Sequence, residues 1–138
     1  MSAELTAEEA ARVAEFRAAL RRFLRTTERN ARSAGLTPQR YLLLLMIKGA
    51  PDRSERSTVT ELAQSLQLAQ STVTELVRRA EEIGLIERER SSADGRVAYL
   101  RLSAEGERRL AHSFTSNESE RRALREAFAH LEGRVLAS

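Results

Sequence analysis

Apolar positions recur at helical spacing along most of this chain and switch to an alternating period only between residues 85 and 102. The first helix is predicted from Thr6 to about Ala34, opened by Thr6-x-x-Glu9, with Val13, Phe16, Leu20 and Phe23 along one face and a stop at Gly35. Thr37 is placed to cap a second helix with Pro38 in its first turn, and Leu36 to pack on Tyr41 as a hydrophobic staple. Tyr41–Ile47 is apolar all round, which puts that helix at the centre of the fold. A polar connector, Gly49–Ser57, follows and is expected to be a mobile loop.

Two short amphipathic helices come next. Thr58 and Glu61 have the spacing of a capping box ahead of Leu62, Ala63 and Leu66, and Gln67-Leu68-Ala69 is a turn. On the following helix Val73, Leu76, Val77 and Ala80 share a face, so Ser71, Thr74, Glu75, Arg78 and Glu82 lie opposite and are free for a partner. Its start is open. Ala69 is a poor cap, worth a loss of about 1 kcal/mol; Ser71 or Thr72 can serve instead, and Thr72-x-x-Glu75 has capping-box spacing, which would leave Gln70 and Ser71 as loop contacts to phosphates.

After Gly84, Leu85–Arg90 and Val97–Leu102 are predicted as paired strands, Ala98, Leu100 and Leu102 facing one way and Val97, Tyr99 and Arg101 the other, with Asp94-Gly95 as the hairpin signal. Ser103 opens a helix carrying Leu110 and Phe114. Asn117-x-x-Glu120 opens a last one with Leu124, Ala127, Phe128, Leu131 and Val135 on one face. The fold class is mainly α with a small β-hairpin: two helices and a hairpin in the order of a winged helix-turn-helix, flanked by terminal helices. Such a unit offers DNA a helix for the major groove and a basic loop for the minor groove beside it.

Composition narrows the chemistry. With 138 residues, 41% hydrophobic and 31% charged, the chain is one soluble globular domain's worth. No run approaches the roughly 20 apolar residues of a membrane span, and Met1-Ser2-Ala3-Glu4 has no basic flank or apolar core of a secretory signal, so a cytoplasmic location is the expectation. The absence of cysteine excludes disulfides, thiolate metal sites and thiol redox sensing. His112 and His130 lack zinc-ligand spacing, and no catalytic triad order, glycine-rich phosphate loop or paired-carboxylate motif is present, so neither an enzyme nor a cofactor is expected. The net charge is only +3, yet 23 residues are basic and Lys48 is the sole lysine. Arginine suits bidentate contact with phosphate and guanine, but its abundance is equally what a GC-rich genome would encode; only Arg78, Arg79, Arg88, Arg90 and Arg96 are placed where they would support DNA binding.

The chain resembles the MarR family of bacterial transcription regulators. The likeness rests on Leu36-Thr37-Pro38-Gln39-Arg40-Tyr41, Val59-Thr60-Glu61-Leu62-Ala63, Ser71-Thr72-Val73-Thr74-Glu75-Leu76-Val77, Gly84-Leu85-Ile86, Asp94-x-Arg96 and Leu102-Ser103-x-x-Gly106 in that order. It departs at Gln67 and Ala69, where the family usually has Gly and a capping Ser or Thr. The resemblance implies a single MarR-type domain over residues 1–138, with residues 6–35 and 104–136 as dimerisation helices and 37–102 as the winged core. It implies a homodimer on a palindromic double-stranded operator, most often a repressor, released by a small anionic aromatic effector. DNA contacts are expected from Gln70, Ser71, Thr72, Thr74, Glu75, Arg78, Arg79, Arg90, Asp94 and Arg96, with Asp94 holding Arg96 for the minor groove. Arg17, Arg40, Tyr41 and His112 could line an effector site, but none is assigned to it. The alternative is a winged-helix module that binds protein, since Glu75 and Glu82 would repel phosphates unless paired with Arg78 or Arg79 or accepting from cytosine N4.

Overall fold

A computed structural model describes residues 4–133. Six helices and three strands follow in the order α1 (Ala7–Ser33), α2 (Pro38–Lys48), β1 (Arg56–Ser57), α3 (Val59–Leu66), α4 (Gln70–Glu82), β2 (Ile86–Arg90), β3 (Ala98–Leu102), α5 (Ala104–Ser116) and α6 (Glu118–Leu131). They group into two compact units, one of residues 31–113 and one of the two ends of the chain, up to Asn30 and from Phe114.

The 31–113 unit is organised around α2. Leu43, Leu44 and Ile47 have no solvent exposure and pack with Leu62, Val73, Val77, Leu85 and Leu100. Thr37 accepts from the Arg40 amide at 3.2 Å and Pro38 occupies the first turn, as the capping pattern requires. The α3 capping box forms in both directions, the Glu61 amide donating to Thr58 Oγ1 at 3.2 Å and the Thr58 amide to Glu61 Oε1 at 3.1 Å.

The connector is not simply a loop. Its last two residues form β1, which pairs antiparallel with β3 (Arg56 opposite Arg101, Ser57 opposite Leu100), so the hairpin becomes a three-stranded sheet of order β1-β3-β2. Periodicity had no purchase on a two-residue strand with a polar sequence. Before it the backbone is pinned by Asp52, whose Oδ1 accepts from the Ser54 amide at 3.0 Å, and by Lys48, which pairs with Glu55 and, at 3.0 Å, with Glu107.

The hairpin register runs from Ile86 opposite Leu102 to Arg90 opposite Ala98, burying Leu100 and Leu102 on the predicted face. Its tip is longer than a two-residue turn. Residues 91–97 close it, with Ser91 N donating to Val97 O and Val97 N to Asp94 O, both at 3.0 Å. Gly95 is not among the left-handed residues, so Asp94-Gly95 is a turn within the loop rather than the mirror-image hairpin turn its sequence suggests.

In the terminal unit, Thr6 Oγ1 accepts from the Glu9 amide at 3.1 Å at the start of α1. Phe16 meets Phe128 edge to face at 6.1 Å between ring centres. Asn117 is not the expected side-chain cap of α6: its backbone is nearly helical (φ −93, ψ 3) and its Oδ1 accepts from Asn30 Nδ2 at 2.7 Å. That buried bond ties α6 to α1, where an exposed cap would have satisfied only α6's own amides. Phe114, predicted on the apolar face of α5, is half exposed and lies against the Arg121 guanidinium at 3.7 Å. Val135 lies outside the described residues.

Candidate nucleic-acid interface

The start of α4 resolves the open register. The helix begins at Gln70, after an extended Ala69 that offers no side-chain cap, and the Thr72-x-x-Glu75 box does not form. The amide side chain of Gln70 compensates from within, donating to Thr60 Oγ1 of α3 at 3.1 Å and thereby joining the two helices across the turn. That turn needs the left-handed conformation at Gln67 (φ 56), so a Gly would have been less strained there.

Val73, Val77 and Ala80 of α4 are fully buried, which turns the opposite face outward. Ser71 and Thr72 are exposed and line a shallow groove with Gln39, Glu75, Leu76 and Arg79. Gln39, in the first turn of α2, was not singled out by sequence. It lies 32 residues from Ser71, and only the packing of α2 on α4 brings the two together. Thr74 is exposed and donates its hydroxyl to the Gln70 carbonyl at 2.8 Å.

Charges on this face are paired with one another. Glu75 accepts from Arg78 at 2.6 and 2.9 Å and from Arg79 at 3.0 Å, while Arg78 also holds Glu82. The Arg78 and then the Arg79 guanidinium pull the Glu75 carboxyl down to about 2, and the Glu75 bond raises Arg78. One helical turn further on, Arg88 of β2 pairs with Glu81 at 2.7 Å.

At the wing, Arg90 and Arg96 take different positions. Arg90 is turned onto the wing's own backbone, its Nη1 donating to the Gly95 carbonyl at 2.7 Å, so it braces the loop. Asp94 Oδ1 accepts from the Arg96 amide at 3.0 Å and more weakly from Arg96 Nε at 3.4 Å. The Arg96 side chain is otherwise 93% exposed. Asp94 therefore positions Arg96 chiefly by fixing its backbone. Ser91 supports the same loop, its Oγ accepting from the Ala93 and Asp94 amides at 3.2 and 3.3 Å.

All ten predicted contact residues thus lie in the 31–113 unit, seven of them on α4 and three on or beside the wing loop. Arg40, Tyr41 and His112 lie in the same unit, whereas Arg17 belongs to the terminal one. Among the described residues no cluster of His, Asp or Glu could hold a metal ion, and no helix is long and apolar enough to cross a membrane.

Comparison with known proteins agrees with this architecture. Residues 34–97 match the model of the MarR family. The helix-turn-helix-type transcriptional regulator YsmB of Bacillus subtilis is 37% identical over 71 residues, 51% of this chain; the match spans about half (49%) of that curated relative's length. Among solved structures, the transcriptional regulator Tm0710 of Thermotoga maritima is 27% identical with a TM-score of 0.64, over 75% of this chain and 70% of its own. AbsC of Streptomyces coelicolor, a MarR family transcriptional regulator, shares the fold at 20% identity with a TM-score of 0.65, over 99% of this chain and 86% of its own. A family match running from the entrance of α2 through the helix pair and into the wing, joined to these six helices and three strands, makes this part of the chain similar to the MarR family and gives the whole the fold of its winged helix-turn-helix structures.

Proposed function

We propose that this protein is a sequence-specific regulator of transcription that binds double-stranded DNA as a homodimer. The observation that carries the reading is one unit presenting both an outward α4 face and a wing whose Arg96 is exposed and backbone-fixed by Asp94. In this reading α4 enters the major groove, where Ser71, Thr72 and Arg78 meet base edges or phosphates. Arg96 enters the adjacent minor groove, whose negative potential is deepest where A·T tracts narrow it. Two copies would set two such helices about one DNA turn apart on a palindrome. The apolar residues α1 and α6 leave exposed, Val13, Leu24 and Phe128, are the surface a second copy would cover. Occupying a promoter in this way blocks polymerase, so repression, relieved by a small anionic aromatic effector, is the proposed sense of regulation in the cytoplasm.

The test is a set of binding titrations on an operator selected from a random-sequence duplex pool, using wild type, Arg96→Ala, Asp94→Ala and the double variant. Arg96→Ala should lose at least tenfold in affinity with folding intact. Asp94→Ala should also weaken binding although it removes a negative charge, and the double variant should be little worse than Arg96→Ala alone. Tighter binding by Asp94→Ala, or additive losses, would show that Arg96 is not held by Asp94 for the groove. The protein-binding alternative predicts no steep fall of DNA affinity with salt.

A further inference from the structure

The outward face of α4 is self-neutralised. Its two guanidiniums, Arg78 and Arg79, are matched by two carboxylates, Glu75 and Glu82, in one continuous network: Glu75 takes a forked pair of bonds from Arg78 and a third from Arg79, and Glu82 holds the remaining Nη1 of Arg78. The i,i+3 and i,i+4 spacings that make this possible are built into Glu75-x-x-Arg78-Arg79-x-x-Glu82. Every group in the network is about half exposed, so the network does little for folding. Its consequence falls instead on any polyanion that approaches.

We propose that Glu75 and Glu82 form a carboxylate clamp on Arg78, and through Glu75 on Arg79, that suppresses non-specific phosphate binding by α4 and so sets the specificity of the helix. The proposal rests on the reading of α4 as the DNA-contacting helix. A guanidinium already held by a forked carboxylate gains little from an arbitrary phosphate, and the phosphate must also approach two negative charges. The clamp opens only where the partner offers more. A guanine edge accepts through O6 and N7 in the same forked geometry that Glu75 supplies, and a cytosine N4 amino group beside it can take over the freed carboxylate. Wrong sequences leave the clamp shut or the carboxylates desolvated and unpaired, and discrimination comes from that cost as much as from the right contact. Exposed surface pairs exchange rapidly, so the clamp delays nothing; it changes the balance of affinities.

The experiment compares wild type, Glu75→Gln and Glu82→Gln with Glu126→Gln, a charge-matched control at an exposed position of α6. Each is titrated against the selected operator and a random-sequence duplex across a salt series. Glu75→Gln should bind random duplex five- to twentyfold more tightly than wild type at low salt. Its log–log salt slope should steepen by about one to two, because each arginine released to a phosphate adds roughly 0.9. The ratio of operator to random affinity should fall, and Glu82→Gln should show a smaller change of the same kind. If Glu75→Gln leaves random-duplex binding and slope at the level of Glu126→Gln, or loses affinity at a single base pair of the operator only, there is no clamp and Glu75 is inert or a direct base reader. A wild type that binds no duplex while Glu75→Gln binds random DNA would overturn the regulator reading and keep the clamp. No binding by either would overturn both.

Discussion

The first turn of α5 is held against the entrance of β2 by a contact that leaves no room for a side chain. Gly106, in the first turn of α5, is buried with its α-carbon against the backbone of Leu85, the residue that leads into β2. A β-carbon there would sit 2.2 Å from the Leu85 carbonyl oxygen and 3.2 Å from its carbonyl carbon. The obstacle is backbone, so no rotamer change relieves it, and α5 must withdraw by about 1 Å to restore ordinary contact. That withdrawal strains the bonds made at the same place, Ser103 N to Leu85 O at 3.0 Å and Ser103 Oγ to Gly84 O at 2.6 Å. Overpacking of this kind costs about 1–3 kcal/mol, and a weakened hydrogen bond adds about 1 kcal/mol. Alanine's better helix propensity returns about 1 kcal/mol. Gly106→Ala is therefore expected to destabilise by about 1–3 kcal/mol, a shift of roughly 1 M in urea midpoint at the usual slope. Gly84→Ala is the control: φ is +77 but nothing lies within 4 Å, so only the left-handed backbone cost of about 1–2 kcal/mol applies. Urea denaturation at fixed protein concentration measures both. A Gly106→Ala midpoint at or above wild type would mean that α5 and Leu85 do not approach as described.

Two further predictions concern α4. Ala69→Ser should stabilise the protein by about 1 kcal/mol, since the N-cap backbone is already extended (φ −64, ψ 147) and lacks only the hydroxyl acceptor; an unchanged or lower urea midpoint would show that the first-turn amides are otherwise satisfied. Glu75 should titrate at about 2 in an NMR carboxyl titration, well below the ordinary carboxylate range. Because its folded pKa is depressed, whatever its pairing contributes is fully present above pH 4.5, is lost as pH falls through about 2, and is insensitive to any rise towards neutrality. Arg78→Ala should move that midpoint upward, and a wild-type midpoint near 4.5 would contradict the bonding.

The elements that carry their own local signal were legible without the structure. The Thr58–Glu61 capping box, Pro38 in a first turn, Gly35 and Gly84 at helix ends, and the periods of 3.6 and two depend on residues within a few positions of one another, so α1 to α3, the body of α4 and the strand pair emerged from the order of residues alone. The candidate contact face of α4 followed from its buried face for the same reason.

Tertiary structure decided what depends on distant partners. Arg56–Ser57 is a strand only because β3 presents a free edge to it, and Asn117 gives up capping because Asn30, 87 residues away, reaches its side chain. Gln70 stays in the helix because Thr60 receives its amide. Arg90 and Arg96 look alike in sequence, yet the loop closure turns one onto the Gly95 carbonyl and leaves the other exposed beside Asp94. Spacing allowed Glu75 and Glu82 to pair with Arg78, but spacing alone left open whether those carboxylates faced the arginines or a partner; side-chain geometry joined all four residues into one network. Local sequence specifies which conformations are cheap, and the choice among comparably cheap ones falls to whichever long-range partner satisfies the polar groups left over.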